Sequence, residues 1–134
     1  MSFKNPKYFG PGYWISWHIQ SYKATNYDKK CETARGIVID ISGIPCIKCK
    51  EDSIDYVKNN PLLSVVENKD KLSLFKWTVE FHNYVNKKLN KDLLNFEQAK
   101  MMYSDDNMCT EECDQEANLD VNENSSEEMS IKFF

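Results

Sequence analysis

The sequence predicts an all-α protein: a four-helix bundle with a short fifth helix, followed by an acidic tail. Three observations predict it. Apolar residues recur every three or four positions over long stretches, as on one face of a helix. Helix-ending residues, Gly43 with Pro45 and then Asn59-Asn60-Pro61, separate those stretches. Short β-like runs such as Ile37-Val38-Ile39 never alternate cleanly for more than a few residues.

The elements follow in order. Gly10-Pro11-Gly12 opens the first, because proline is tolerated in a first helical turn, where its missing N–H would be unpaired anyway. From Tyr13 onward Trp14, Trp17, His18 and Tyr22 keep helical spacing. The second helix is expected from about Tyr27 to Ser42, burying Cys31, Ala34, Ile37, Val38 and Ile41. The third starts at Cys46 and Cys49, carries Ile54 and Val57, and stops at Asn60-Pro61. Asn68 is expected to cap a long fourth helix, about Lys69 to Leu89, whose Leu72, Phe75, Val79, His82 and Asn86 share a face. Asn90 closes it at its C-terminus. Asn95 and Gln98 have capping-box spacing at the start of the fifth helix, which runs to Tyr103.

The net charge of −4 conceals a division. Residues 1–104 hold 16 basic and 11 acidic side chains, a balance of +5, whereas 105–134 hold 1 and 10, a balance of −9. The chain therefore reads as one domain, 1–104, and a tail, 105–134, too acidic and too poor in large apolar groups to fold alone; disorder is expected there. The acidic total argues against a nucleic-acid partner, since phosphate contact needs a basic surface. No apolar run approaches the roughly 18 residues of a membrane span. The first fourteen residues lack the apolar stretch of a secretory signal.

Without such a signal, paired cysteines point to redox or metal chemistry rather than to structural staples. Cys46-Ile47-Lys48-Cys49 follows Pro45 at a helix start, where unpaired N–H groups and the helix dipole favour a thiolate. Two sulfurs one turn apart suit dithiol–disulfide exchange; half a zinc site and two unrelated buried thiols are the alternatives. Cys109 and Cys113 make a second pair. The two pairs together allow a zinc-stabilised interaction module, but sixty residues separate them, and thiol exchange needs only brief contact between sulfurs. That favours a shuttle disulfide at Cys109/Cys113 and leaves no metal ligand set assigned. Cys31, alone on an apolar face, reads as a small buried hydrophobe. A dithiol oxidised repeatedly needs an electron acceptor, and no thioredoxin-like strand pattern surrounds this one. Trp14 with His18, His82 with Asn86, and the lysines at 87, 88 and 91 could provide for a planar ring and a pyrophosphate. A scaffold without cofactor, whose tail recruits a basic partner, is the remaining reading.

Three motifs in register then resemble one family. The run from His82 to Lys91, His-Asn-Tyr-Val-Asn-Lys-Lys-Leu-Asn-Lys, resembles the HN-x-VN-x-x-L-x-K signature of the Erv/ALR sulfhydryl oxidases. Gly10, Trp14 and His18 repeat the G-x-x-x-W-x-x-x-H of their opening helix, and Pro45-Cys46-Ile47-Lys48-Cys49 their P-C-x-x-C. The likeness spans about residues 8 to 104 and is strongest to compact members encoded by large DNA viruses.

The resemblance implies a helical bundle that binds FAD and passes electrons from reduced protein thiols to dioxygen, giving hydrogen peroxide. It implies Cys49 beside the flavin and Cys46 outside it. The cofactor would be held by Gly10, Trp14, His18 and Tyr22 from the first helix, and by His82, Asn83, Val85, Asn86, Lys88, Lys91 and Tyr103 from the later ones. It further implies a homodimer and, as a possible electron donor, a thioredoxin-like carrier. The compartment would be host cytoplasm or virion for a viral member, or the mitochondrial intermembrane space for a cellular one. Three positions depart from the family: Pro11 replaces a frequent Arg, Tyr103 a frequent Trp, and Phe96 a cysteine of a structural disulfide. Packing has to replace that staple.

Overall fold

Asn5-Pro6 starts the first helix of the computed structural model, which describes residues 5–104. Helix α1 (Pro6–Lys23) is capped by the Asn5 side chain, which accepts the Lys7 N–H at 3.0 Å. It begins one turn before the expected Gly10-Pro11-Gly12. Pro6 occupies the first turn, and Pro11 sits in the second, where only one helical hydrogen bond is forfeited. Helix α2 (Tyr27–Ser42) has the expected bounds, with the Asn26 side chain accepting the Lys29 N–H. Its buried face is Ala34, Ile37 and Ile41. Cys31 is only half-buried, and Val38 is 45% exposed, one position around the helix from that face. Helix α3 (Ile47–Asn59) follows Ile44, which is buried; Ile54 points outward, and Tyr56 takes the inner side.

The expected fourth helix divides. A six-residue helix, α4 (Leu62–Glu67), follows Pro61, and Asn68 ends it instead of starting the next. The buried Lys30 amino group of α2 donates to the Asn68 carbonyl at 2.8 Å and the Asp70 carbonyl at 2.7 Å, which holds this segment in a turn. The Asp70 side chain then accepts the Leu72 N–H at 3.0 Å, so α5 (Ser73–Lys88) starts later than its periodicity suggests. Asn90, at φ 55°, takes the left-handed conformation that closes α5. Helix α6 (Phe96–Tyr103) carries the complete capping box between Asn95 and Gln98.

Helix α5 packs along α1, α1 against α2, and α2 against α3 and α4, with α6 closing over α1 and α5. The larger core gathers Trp14, Trp17, Ile37, Ile41, Leu74, Trp77 and Phe81. A smaller one holds Phe75, Val79, Ala99 and Tyr103, with Phe96 packed on it, its ring 6.0 Å from that of Phe75. Among the described residues no helix is long and apolar enough to cross a membrane. The acidic tail, the disorder expected of it, and Cys109 and Cys113 lie outside the described residues.

Candidate functional site

Pro45 favours extended backbone just before it and a helix start just after. Cys46 therefore becomes the N-cap of α3, its Sγ accepting the Cys49 N–H at 3.3 Å. One turn on, Cys49 faces inward and lines a cavity of about 160 Å³ between α1, α3 and the end of α5. Gly10, Trp14, Ile44 and Val85 form apolar walls around it. At its mouth Asp52 accepts from Lys48 at 3.0 Å and lies 3.2 Å from Lys88, whose amino group also sits 4.7 Å above the Tyr84 ring. Sequence reasoning expects the helix start to favour a thiolate. At Cys49 the reverse holds. Burial, then the neighbouring Cys46 thiol and the Asp52 carboxylate, push the Cys49 thiol up to about 12.

Trp14 joins this cavity to a second group of predicted residues. Its ring stacks on His82, centroids 4.2 Å apart and planes within 5°. His18 donates to or accepts from His82 through Nε2 and Nδ1 at 2.9 Å. On its other side, His18 Nδ1 lies 3.0 Å from the Thr78 hydroxyl, which itself bonds the Phe75 carbonyl and the Ser21 hydroxyl. Tyr103 leans on His18 at 5.0 Å between centroids. Burial, with His82 nearby, holds His18 well below the usual imidazole range. Burial, with the Lys91 cation nearby, lowers His82 to about 4. The remaining nitrogen, His82 Nε2, is buried without a hydrogen-bond partner among the described residues. Thr78 and Ser21 escape sequence reasoning, since hydroxyl residues inside a helix carry no pattern of their own.

The end of α5 uses its signature residues to shape the chain. Asn83 donates to the Leu94 carbonyl at 2.6 Å and accepts the Leu94 N–H at 2.9 Å. Asn86 donates to the Asp92 carbonyl, and its own carbonyl accepts the Lys91 N–H at 2.8 Å. Lys91 is thereby folded back and half-buried, which lowers its amino group's pKa. Tyr22 stands apart from the cavity, edge-on to Phe75 at 5.1 Å. Of the predicted cofactor residues, then, Gly10, Trp14, Val85 and Lys88 line the Cys49 cavity, and His18, His82 and Tyr103 cluster behind Trp14. The arrangement suits a flat ring placed against a thiol, with polar parts of the same ligand reaching a buried acceptor.

Comparison with known proteins gives a consistent picture. The family described as Erv1/Alr matches residues 11–105. A protein called FAD-linked sulfhydryl oxidase, from a Kenyan pig isolate of African swine fever virus, is 31% identical over 99 residues, covering 72% of this chain and 80% of the viral protein. The protein of the same name from a Namibian warthog isolate is 30% identical over 99 residues, with the same coverage. A protein of invertebrate iridescent virus 6, named provisionally for the same activity, is 33% identical over 98 residues, covering 67% of this chain and 86% of its own length.

Proposed function

The chain belongs to the Erv1/Alr family, and from that premise we propose that it oxidises protein dithiols to disulfides through Cys46 and Cys49, with dioxygen as final acceptor. It is a flavin-linked thiol oxidase, and FAD is its cofactor. The residues present fit that cofactor: the cavity is apolar where a ring would lie, Cys49 stands in its wall, and His82 Nε2 is a buried acceptor without a partner among the described residues. Gly10, Trp14, Val85 and Lys88 would hold the ring side; His18, His82, Asn86, Lys91 and Tyr103 would hold the remainder. The chemistry that bound FAD supplies is acceptance of two electrons from the Cys46–Cys49 dithiol and their delivery to dioxygen as hydrogen peroxide.

The chain's own part is thiol exchange. A substrate thiolate attacks Cys46 Sγ of the oxidised pair, the Cys46–Cys49 bond breaks, and Cys49 departs with the electron pair. Burial, the first of the causes that raise the Cys49 thiol, favours its taking up a proton as it departs. The second substrate thiolate then attacks the mixed disulfide at the substrate sulfur, releasing Cys46. The substrate has lost two electrons and two protons, and the pair holds both. Cys109 and Cys113 act before Cys46 when the substrate is a folded protein, receiving its electrons and passing them on. A thioredoxin-like carrier would present an accessible dithiol of the required kind.

The observation that carries this order is the placement of Cys49 in the cavity wall and of Cys46 at the helix cap beside it. The test is trapping. Cys49→Ser whose Cys46 is first converted to its thionitrobenzoate disulfide should exchange it, with release of thionitrobenzoate, for a mixed disulfide with a reduced protein substrate, and Cys46→Ser activated in the same way at Cys49 should not. The opposite pattern would reverse the roles of the two sulfurs. Cys109→Ser/Cys113→Ser should keep most oxidation of dithiothreitol and lose most oxidation of a reduced protein. Full activity on both would remove the shuttle.

A further inference from the structure

The hydroxyl of Thr78 has one hydrogen, and the chain of contacts around it decides where that hydrogen goes. Thr78 Oγ1 lies 2.7 Å from the Phe75 carbonyl, an acceptor only, so the hydroxyl donates there. A Thr78 proton turned to His18 instead would leave two acceptor oxygens facing each other at 2.7 Å. Thr78 Oγ1 must therefore accept at 3.0 Å from His18 Nδ1, which carries a hydrogen. Burial keeps His18 neutral, so its Nε2 is bare and accepts at 2.9 Å from His82 Nδ1. Burial keeps His82 neutral as well, which leaves its Nε2 without a hydrogen. That nitrogen is on a residue 8% exposed and has no partner among the described residues. A buried acceptor left unpaired is destabilising, and the cost is removed when a donor reaches it.

We infer that Thr78 is a positioning residue that sets the tautomers of His18 and His82, so that His82 Nε2 is presented as a bare acceptor for a hydroxyl or amine hydrogen of the bound dinucleotide. The inference rests on FAD being the cofactor. It gives a fully buried threonine in the middle of α5 a task in ligand recognition that its burial conceals. Ser21 is compatible with the arrangement: its single hydroxyl hydrogen can go to the His18 carbonyl at 3.2 Å or to Thr78 Oγ1 at 3.1 Å, and Thr78 Oγ1 has a second lone pair to accept it without displacing His18.

The test is nitrogen NMR on the full chain with labelled histidine, as purified with FAD and after exchange of FAD for FMN. The expected spectrum shows a protonated His82 Nδ1 and an unprotonated, hydrogen-bonded Nε2. A protonated Nε2 in the FAD-loaded protein overturns the inference, as does an Nε2 whose shift is the same with and without bound flavin. A shift with FAD alone puts the donor on the adenosine half, and a shift with both puts it on the ribityl chain. Thr78→Val should weaken FAD binding roughly tenfold and mix the histidine tautomers, whereas Thr78→Ser should restore both to within about twofold. Unchanged tautomers and affinity in Thr78→Val would also overturn it. A purified chain that carries no flavin would sink the cofactor assignment separately, since the tautomers are still read from that sample.

Discussion

Cys49 and His82 show how burial, more than any contact, sets chemistry at single residues. For Cys49 the burial cost comes first among the causes that push its thiol up to about 12. In the reduced protein, alkylation by iodoacetamide should therefore map to Cys46 first, with Cys49 at least tenfold slower at pH 8 and gaining about tenfold per pH unit above that. Equal labelling at pH 8, read by mass spectrometry, would contradict the inward placement. His82 is the opposite titration. Its pKa of about 4 in the fold lies below the ordinary 6.5, so the unfolded chain takes up the proton first as pH falls. Stability from this group is complete above pH 6.5 and is lost between 6.5 and 4, about 3 kcal/mol in all, with His18 acting in the same direction. Urea midpoints measured across that window should fall, and fall less in His82→Leu. The motif residues themselves were legible in sequence, because their spacing is their signal. What was not legible is which of them face a ligand. Asn83 reads as a cofactor residue, and its amide also has a task in the fold that spacing does not announce, pairing with the Leu94 backbone through both Nδ2 and Oδ1.

Among the elements, α2 and α6 were legible almost to the residue, because Gly43 with Pro45 marks the end of one and the Asn95–Gln98 box the start of the other. Asn95→Ala should cost about 1 kcal/mol, checked by equilibrium unfolding. The division between α4 and α5 was not legible, and Lys30 is the reason. Its amino group binds two carbonyls 38 and 40 positions away, a long-range contact that no local pattern announces. A lysine on a helix normally signals a solvated face, whereas this one is 2% exposed. Lys30→Ala removes the donor for both carbonyls and opens space beside α4. It should destabilise by about 2–4 kcal/mol in denaturant titrations, well beyond a surface lysine such as Lys29→Ala. Equal, small effects for the two lysines would mean that the turn holds itself.

For the molecule as a whole, two cores meet at α5, and a ligand seated between α1 and α5 would draw on both. A ligand that binds only the folded state stabilises it by mass action. FAD at a hundredfold above its Kd should add about 2.7 kcal/mol, which for a domain of this size raises Tm by roughly 10–20 °C. Identical melting of the flavin-free and flavin-loaded protein would exclude a cofactor lodged in the bundle. The division of charge between residues 1–104 and 105–134 was legible from counting alone, because net charge needs no knowledge of contacts.

The stacking of Trp14 on His82 has a consequence of an optical kind. All three tryptophans of the chain, Trp14, Trp17 and Trp77, are buried in the same core, and Trp14 alone borders both the thiol cavity and the histidine chain. The molecule therefore carries its own lamp beside its reactive sulfur. Light absorbed by these indoles can pass to a yellow chromophore in that cavity, so their emission should be dim while the chromophore is held and brighten as it leaves. The same side chain that walls the site thus reports its occupancy, without any added dye.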